Sequence, residues 1–336
     1  MSDDICRSER QPHFSAEEVK ELEHSLLEDP EDLQARTELL IHYMMESFHS
    51  KNALKSHMRH SLWLIQHHPD SDLAGTPFVL PQRRKNKEAL EDMKWWWIHQ
   101  VANYPENAMV LGNAAKFFIH TFPDDWLQAR NWLHAAEQLD STNPEWPEQA
   151  GLLFEFEGRQ LQGEEKKIAV HNALQYYVCA YDLTLDEERR VLLLNDLARN
   201  AFLAGEFSHA GEYASKLLES TSLGKDGDHD WNYGNALHWS HIVLGKLALQ
   251  QGDREAAKLH LQEAGNTPGS PQLNSFGPDM TLARELLEQE EKEAVLAYLM
   301  ACSKFWKLGT DDLAAWDSAI REDRIPDFCS SSCNLP

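Results

Sequence analysis

The sequence predicts an all-α protein assembled from consecutive pairs of helices. Apolar residues recur at the 3.6-residue period of a helix from about residue 16 to residue 321, and no segment alternates as a strand does. Glycine and proline, with 16 and 14 copies, are too few for a turn-rich all-β chain, whereas 42% hydrophobic residues and 11 tryptophans suffice for a packed interior. At 336 residues the chain is long for one hydrophobic core, so we expect two domains or an elongated array of helical pairs.

The net charge of the chain excludes some classes of binding partner. The 31 Lys and Arg residues stand against 55 Asp and Glu residues, which gives a formal net charge of -24. Such a chain repels phosphate backbones and anionic lipid surfaces, so neither nucleic acid nor a membrane is expected as a partner. The first residues include Asp3 and Asp4 and lack an apolar core of signal-peptide length, and no run approaches 18 apolar residues, so we expect a soluble, cytoplasmic protein.

The N-terminal segment, residues 1–29, is predicted to contain a lead helix. Ser15 and Glu18 have the spacing of a capping box, in which each side chain bonds the backbone N–H of the other residue. An apolar stripe of helical period follows, formed by Val19, Leu22, Leu26 and Leu27.

Residues 30–69 predict a first helical hairpin and residues 70–86 a linker. Pro30 suits the first position of a helix, and two apolar stripes follow it. Between 70 and 86 the helical period is lost, Gly75 and Pro77 favour turns, and the segment ends in a basic run.

Residues 87–308 predict a succession of helices without a strand. They are expected at 89–104, 107–120, 126–140, 147–161, 167–183, 187–204, 208–220, 231–251, 254–264, 278–289 and 292–308. A capping helix is predicted at 311–321 within residues 309–328, and residues 329–336 form a polar, flexible tail.

A repeated signature is clearest in residues 194–217. Leu197-Ala198 form a large-small pair, Gly205 stands at a turn, and Ala210 occupies a crossing of two helices where sterics demand a small side chain. Three further copies show the same order of large-small pair, turn and small crossing residue. The second copy has Leu244-Gly245, Gly252-Asp253 and Ala257, and the third, weaker copy has Leu282-Ala283, Glu290-Glu291 and Val295. An earlier copy begins with Leu111-Gly112 and ends in the helix at 126–140.

This signature resembles the tetratricopeptide repeat over roughly residues 105–308, with the 30–69 hairpin as a weaker member. The turns at 205, 252 and 290 are spaced more widely than the 34 residues of the standard repeat, which indicates insertions. The resemblance implies a right-handed α–α superhelix of helical hairpins in which the first helix of each pair lines a concave groove. Residues 231–236 and 267–278 also resemble a bacterial group of repeat proteins, a resemblance that implies no activity.

The resemblance assigns a set of basic and amide side chains to the groove. They are Asn113, Lys116, Asn195, Arg199, Lys246 and Arg284. In carboxylate-clamp members of this family, Asn and Lys or Arg at such positions hold a peptide C-terminus through charge-assisted bonds. The expected partner is therefore a protein or peptide segment that is acidic or carboxylate-terminated. The alternative is that these cations only pair with neighbouring acids.

A cluster of histidine and aromatic residues lies near residues 228–241. His238 and His241 are three residues apart on one helix, and His229 or the neighbouring aspartates, Asp228 and Asp230, would complete a metal site with them. The favoured alternative is a structural or groove-lining role, which makes Asn235, His238 and Trp239 groove candidates.

The loop at 266–278 contains three prolines and two glycines, and rigid segments of this kind often cover a binding surface. Asn274 and Phe276 are its contact candidates. The alternative is a plain spacer between two repeats.

The five cysteines are few and scattered, so reduced thiols are expected, with Cys329 and Cys333 of the tail as the exception. Their spacing permits a disulfide, a soft-metal site or a peptide that another enzyme modifies. No catalytic fingerprint is present, and no cofactor is expected. The sequence thus predicts a non-catalytic interaction protein or scaffold. The alternatives are a helical enzyme or metal-binding protein built around residues 228–241, and a carrier of the C-terminal cysteine peptide.

Overall fold

The computed structural model describes residues 14–80, 87–221 and 232–328, and within these ranges every regular element is a helix. The predicted all-α class is confirmed. The chain divides into two compact units, Met1–Leu153 and Phe154–Pro336, which we call unit 1 and unit 2.

Unit 1 is a series of helices in which each contacts the next along the chain. They are α1 (Ala16–Glu28), α2 (Leu33–Glu46), α3 (Lys51–His67), α4 (Lys87–Asn103), α5 (Ala108–Thr121) and α6 (Trp126–Leu139), followed by α7 (Glu145–Gln160), whose C-terminal part belongs to unit 2. The capping box of Ser15 and Glu18 forms as predicted, with both of its hydrogen bonds present.

The predicted linker at 70–86 is in part a packed segment. Two short 3-10 turns, Asp72–Gly75 and Pro77–Val79, contact α2, α3 and α5. Ala74 and Val79 are buried, because the turns bring apolar side chains onto the helices although they have no helical period of their own. Residues 81–86, with the basic run, lie outside the described residues.

Unit 2 continues the same pattern of adjacent helical pairs. Its helices are α8 (Gly163–Leu183), α9 (Glu187–Leu203), α10 (Phe207–Ser220), α11 (Tyr233–Gln250), α12 (Arg254–Gly265), α13 (Pro271–Phe276), α14 (Thr281–Leu287), α15 (Lys292–Cys302) and α16 (Thr310–Arg321). Helix α13 lies in the predicted loop, where Ser270 caps it and Pro271 takes its first position. The two predicted helices at 278–289 and 292–308 are shorter than expected.

The turns of the repeated signature share one backbone conformation. Gly205 and Gly252 have φ of +80° and +79°, and Glu290, at the equivalent position, has φ of 67°. Asp323, after α16, adds a fourth such turn with φ of 60°. In each turn the residue after the left-handed one donates its backbone N–H to the carbonyl five residues earlier, as in a Schellman motif. The donor and acceptor pairs are Glu206 and Ala201, Asp253 and Ala248, Glu291 and Leu286, and Arg324 and Ala319.

The small positions of the signature are buried, as their sterics require. Ala210, Ala257 and Val295 are each 0% exposed. A Cβ added to Gly245 would overlap the side chain of Leu282, so α11 and α14 approach closely there. The handedness of the superhelix and the family assignment stay predictions.

Candidate functional site

The two groove candidates of unit 1 are internal residues. Asn113 is 0% exposed, and its amide nitrogen donates to the carbonyls of Pro69 and Ser71, each at 2.9 Å. Lys116 is 7% exposed, and its ammonium donates to Glu145 at 2.8 Å. These contacts correct the assignment of both residues to a ligand-binding face. Asn113 anchors the segment before the 3-10 turns, and Lys116 ties α5 to α7.

In unit 2, Arg199 of α9 sits in a compact network of acids. Its Nη2 lies 2.6 and 2.7 Å from the carboxylate oxygens of Glu155 and 3.1 Å from Asp196. The amide of Asn200 also donates to Glu155. Burial disfavours the charged guanidinium, but the two carboxylates outweigh burial and raise the pKa of Arg199.

Asn195, one turn before Arg199, is half-buried. Its side-chain oxygen is buried and accepts no hydrogen bond within the described residues. An unsatisfied acceptor of this kind carries a desolvation cost.

Lys246 of α11 joins three helices. Its ammonium is 3.0 Å from a carboxylate oxygen of Glu285 on α14 and 4.9 Å from the ring centroid of Phe202 on α9. The Phe202 ring lies in turn 5.4 Å from that of Phe207, which is 43% exposed. We call Phe202, Phe207, Lys246 and Glu285 the Lys246 row.

Arg284 of α14 is the most exposed of the four predicted cations. Its side chain is 46% exposed, its Nη2 is 3.6 Å from Asp327, and its guanidinium is 5.7 Å from the ring centroid of Phe328. Both partners belong to the segment that follows α16. Each of the four cations therefore lies beside a carboxylate, which is the arrangement of the pairing alternative, and the expected positive stripe is electrically balanced.

The 266–278 segment is held on α11 by hydrogen bonds. Asn235 donates to Gln272 at 3.0 Å and accepts from Ser270 at 2.6 Å, so its amide is engaged inside the unit. Thr267 donates to the carbonyl of Gly234 at 2.9 Å. The segment is thus fixed on α11, and a role in covering a binding surface stays a prediction.

The remaining contact candidates differ in exposure. Phe276 is 60% exposed, and Asn274 is exposed as well. Trp239 is half-buried, with its ring edge-on to His238 at 5.4 Å between centroids. Phe276 is the one of these three with the largest apolar surface that a partner can cover.

His238 is 0% exposed, and both of its ring nitrogens are engaged. Nδ1–H donates to the carbonyl of Ala264 at 3.0 Å, and Nε2 accepts from the backbone N–H of Asp279 at 3.0 Å. Burial lowers the pKa of His238, so the ring is neutral. This corrects its assignment to a groove or a metal site, because a ring with both nitrogens engaged has no lone pair to offer.

His241 pairs with a histidine that the sequence analysis did not single out. Its Nδ1 lies 3.0 Å from Nδ1 of His260 on α12. Among the described residues no group of three or more His, Cys, Asp or Glu side chains is placed to hold a metal ion. Asp228, His229, Asp230, Cys329 and Cys333 lie outside the described residues.

A polar cluster in unit 1 was not predicted from the sequence either. The carboxylate of Glu23 accepts from the hydroxyl of Tyr43 at 2.8 Å and from Arg59 at 2.6 Å, and it lies 3.4 Å from Nε2 of His60. The guanidinium of Arg36 donates to Nδ1 of His60 at 3.4 Å. Arg36 and His60 are polar residues on the buried faces of α2 and α3, and this interruption of two apolar stripes is the signal in the sequence.

The environment sets the charges of this cluster. Burial lowers the pKa of His60 to about 4. Burial opposes ionisation of Glu23, but its three donors outweigh burial and lower the pKa of that carboxyl. The cluster joins α1, α2 and α3 through a neutral imidazole and an ionised carboxylate.

Two further findings concern the chain as a whole. No helix in the described ranges is long and apolar enough to cross a bilayer. No family model matches the chain, and a search of curated proteins found no match.

Proposed function

We propose that this chain is a non-catalytic interaction protein that binds an extended segment of another protein on the face formed by α9, α11 and α14. The observation that supports this most is the continuity of the Lys246 row. Lys246 contacts α9 through Phe202 and α14 through Glu285, so side chains from three helical pairs meet on one face. A segment lying across that face would touch all three pairs.

The chemistry of the row favours a segment with a carboxylate beside an apolar side chain. An ammonium has three N–H donors, and Glu285 uses one of them. A ligand carboxylate would share Lys246 with Glu285. Phe207, at the start of α10, offers apolar surface beside Phe202. Since the acids balance the cations, selectivity would depend on shape as much as on charge.

The repeat signature supports the same proposal. If the resemblance to tetratricopeptide repeats holds, α9, α11 and α14 are the first helices of their pairs and line the groove. The proposal includes a cytoplasmic location and a scaffolding role.

A matched pair of lysines tests the proposal. Lys258 of α12 also lies beside glutamates, with Glu255 at 2.7 Å and Glu291 at 3.2 Å, but it is on the second helix of its pair. After the ligand is captured with the full chain, it is titrated against wild type, Lys246→Ala and Lys258→Ala at two salt concentrations.

We expect Lys246→Ala to weaken binding by about 1–3 kcal/mol, because a charge-assisted bond is lost, and added salt to weaken binding to wild type. Lys258→Ala should bind as wild type does. Equal affinity in all three proteins would refute the proposed face.

A further inference from the structure

His241 and His260 form a pair that the proposed binding face does not use. The two rings are 5.3 Å apart between centroids and inclined by 37°. Their Nδ1 atoms are 3.0 Å apart, so one nitrogen carries the proton that the other accepts. Both rings are half-buried and therefore in reach of solvent.

The packing of α11 on α12 holds the two rings together. Gly245, one turn after His241, lacks a side chain where a Cβ would come 3.1 Å from the Cβ of His260. The short approach at this glycine brings the helices close enough for the imidazoles to meet. The rings are thus positioned by two well-packed helices rather than by a loop.

We propose that His241 and His260 bind a divalent transition-metal ion, such as Zn²⁺, Ni²⁺ or Cu²⁺, through their two Nδ1 atoms. Metal–nitrogen bonds of about 2.0–2.1 Å at a tetrahedral angle place two nitrogens about 3.3–3.4 Å apart. The observed separation of 3.0 Å therefore needs to open by only a few tenths of an ångström. On metal binding, the ring that carries a proton on Nδ1 changes tautomer and carries it on Nε2 instead. Both rings then stay neutral, and both Nδ1 lone pairs are free for the metal.

The protonation state of the two rings suits the binding of a metal ion. Burial, with the neighbouring His260, lowers the pKa of His241 to about 4, and burial lowers the pKa of His260. A lowered pKa favours the neutral form of each ring, which is the form that binds a metal. Glu263 acts on His260 in the opposite direction, because its carboxylate favours a positive charge there.

The chemistry of the donors selects the metal. Imidazole nitrogen suits Zn²⁺, Cu²⁺ and Ni²⁺, whereas Mg²⁺ and Ca²⁺ prefer oxygen ligands. Because the described residues offer no group of three or more His, Cys, Asp or Glu ligands, water fills the remaining positions. The site is an open one that joins the two helices of one pair, and it is independent of the proposed peptide-binding function.

The test is a calorimetric titration of the metal-free full chain with Zn²⁺ at neutral pH. Wild type is compared with His241→Asn, His260→Asn and the control His209→Asn, an exposed histidine 3.0 Å from Glu206. Loss of a ligand-supporting group commonly costs 10–100-fold in metal affinity, so we expect loss of a direct ligand to cost at least about tenfold. Wild type and His209→Asn should share one tight site that both pair variants lack. Equal affinities in all four proteins would overturn the proposal.

A second measurement needs no variant. Substoichiometric Ni²⁺, which is paramagnetic, should broaden the NMR signals of His241 and His260 before those of other histidines. The chain has 17 histidines, so exposed rings provide the internal comparison. Broadening that starts elsewhere and leaves this pair sharp would also overturn the proposal.

Discussion

At the scale of single residues, several helices of unit 2 end in a turn that contains one residue in the left-handed region. Gly205 and Gly252 adopt this conformation without a side chain, and an added Cβ would meet nothing within 4 Å at either position. Glycine is therefore favoured at these two positions only because of the backbone conformation. Glu290 and Asp323 adopt the same conformation with a side chain, which costs free energy that glycine avoids.

We predict that Glu290→Gly stabilises the protein. The left-handed backbone at Glu290, with φ of 67°, is strained for glutamate, and relief of that strain should exceed the added flexibility of the unfolded chain. The expected gain in the free energy of unfolding is about 0.5–1 kcal/mol, measured by urea denaturation.

Glu288→Gly provides the matched control. Glu288 lies in the same turn with the same charge, but its φ is -62°, a right-handed value. Glycine there should destabilise by about 0.5–1 kcal/mol, because only the flexibility is added. Equal shifts in both variants would contradict the argument from conformation.

At the scale of the elements, consecutive helices pack at positions where only small side chains fit. Ala210 is 0% exposed at the start of α10 and belongs to the core that α9, α10 and α11 share. A larger side chain at this position would therefore have no free space to fill.

We predict that Ala210→Leu costs about 1–3 kcal/mol of the free energy of unfolding, since three extra carbons must displace packed neighbours. Ala315→Leu is the control, because Ala315 is exposed on α16 and should change stability by less than about 0.5 kcal/mol. Chemical denaturation of both variants measures the difference. An unchanged midpoint for Ala210→Leu would show that the register of this repeat is different.

Also at this scale, short elements carry much of the specific packing. Helix α13 and the 3-10 turns at 72–79 are too short to show a helical period, yet hydrogen bonds from Asn235 and Asn113 hold these segments on α11 and α5. Their positions depend on side chains more than thirty residues away in the sequence. A periodic pattern contains no information about such partners.

At the scale of the whole molecule, several histidines are kept neutral by burial. Lowered pKa values hold for His57, His60, His120, His238, His241 and His260. An unfolded histidine has a pKa near 6.5. Below that pH the unfolded chain binds more protons than the folded one, so stability falls with falling pH. The loss continues down to about pH 4, the folded pKa of His60 and His241.

We therefore predict a steep loss of stability between pH 6.5 and pH 4, to which His60 alone contributes on the order of 1–3 kcal/mol. Glu23 adds to the loss at the acid end, because its lowered pKa stabilises the fold above about 4.5 and that contribution disappears on protonation. Urea denaturation across this range measures the slope, and NMR titration of His60 measures its midpoint. A free energy of unfolding that stays level from pH 6.5 to 4.5 would contradict the prediction.

Much of the fold and part of the candidate site could be predicted before the structure was known. The sequence singled out Arg199, Lys246 and Arg284 as candidate cations, and all three side chains are partly exposed. Their acid partners were foreseen only as an alternative. The partners come from other elements, so their identity does not follow from spacing along one helix.

The sequence by itself determined most of the long helices, the turns at Gly205 and Gly252 and the small residues packed after them, because periodicity, backbone preference and side-chain size act within a few residues of one another. Only the tertiary structure decided which polar groups are buried and with whom they pair. Asn113 is internal because Pro69 and Ser71 fold over it, and His241 meets His260 rather than its near neighbour His238. These choices depend on the distance between atoms of separate elements, which packing sets and local sequence does not encode.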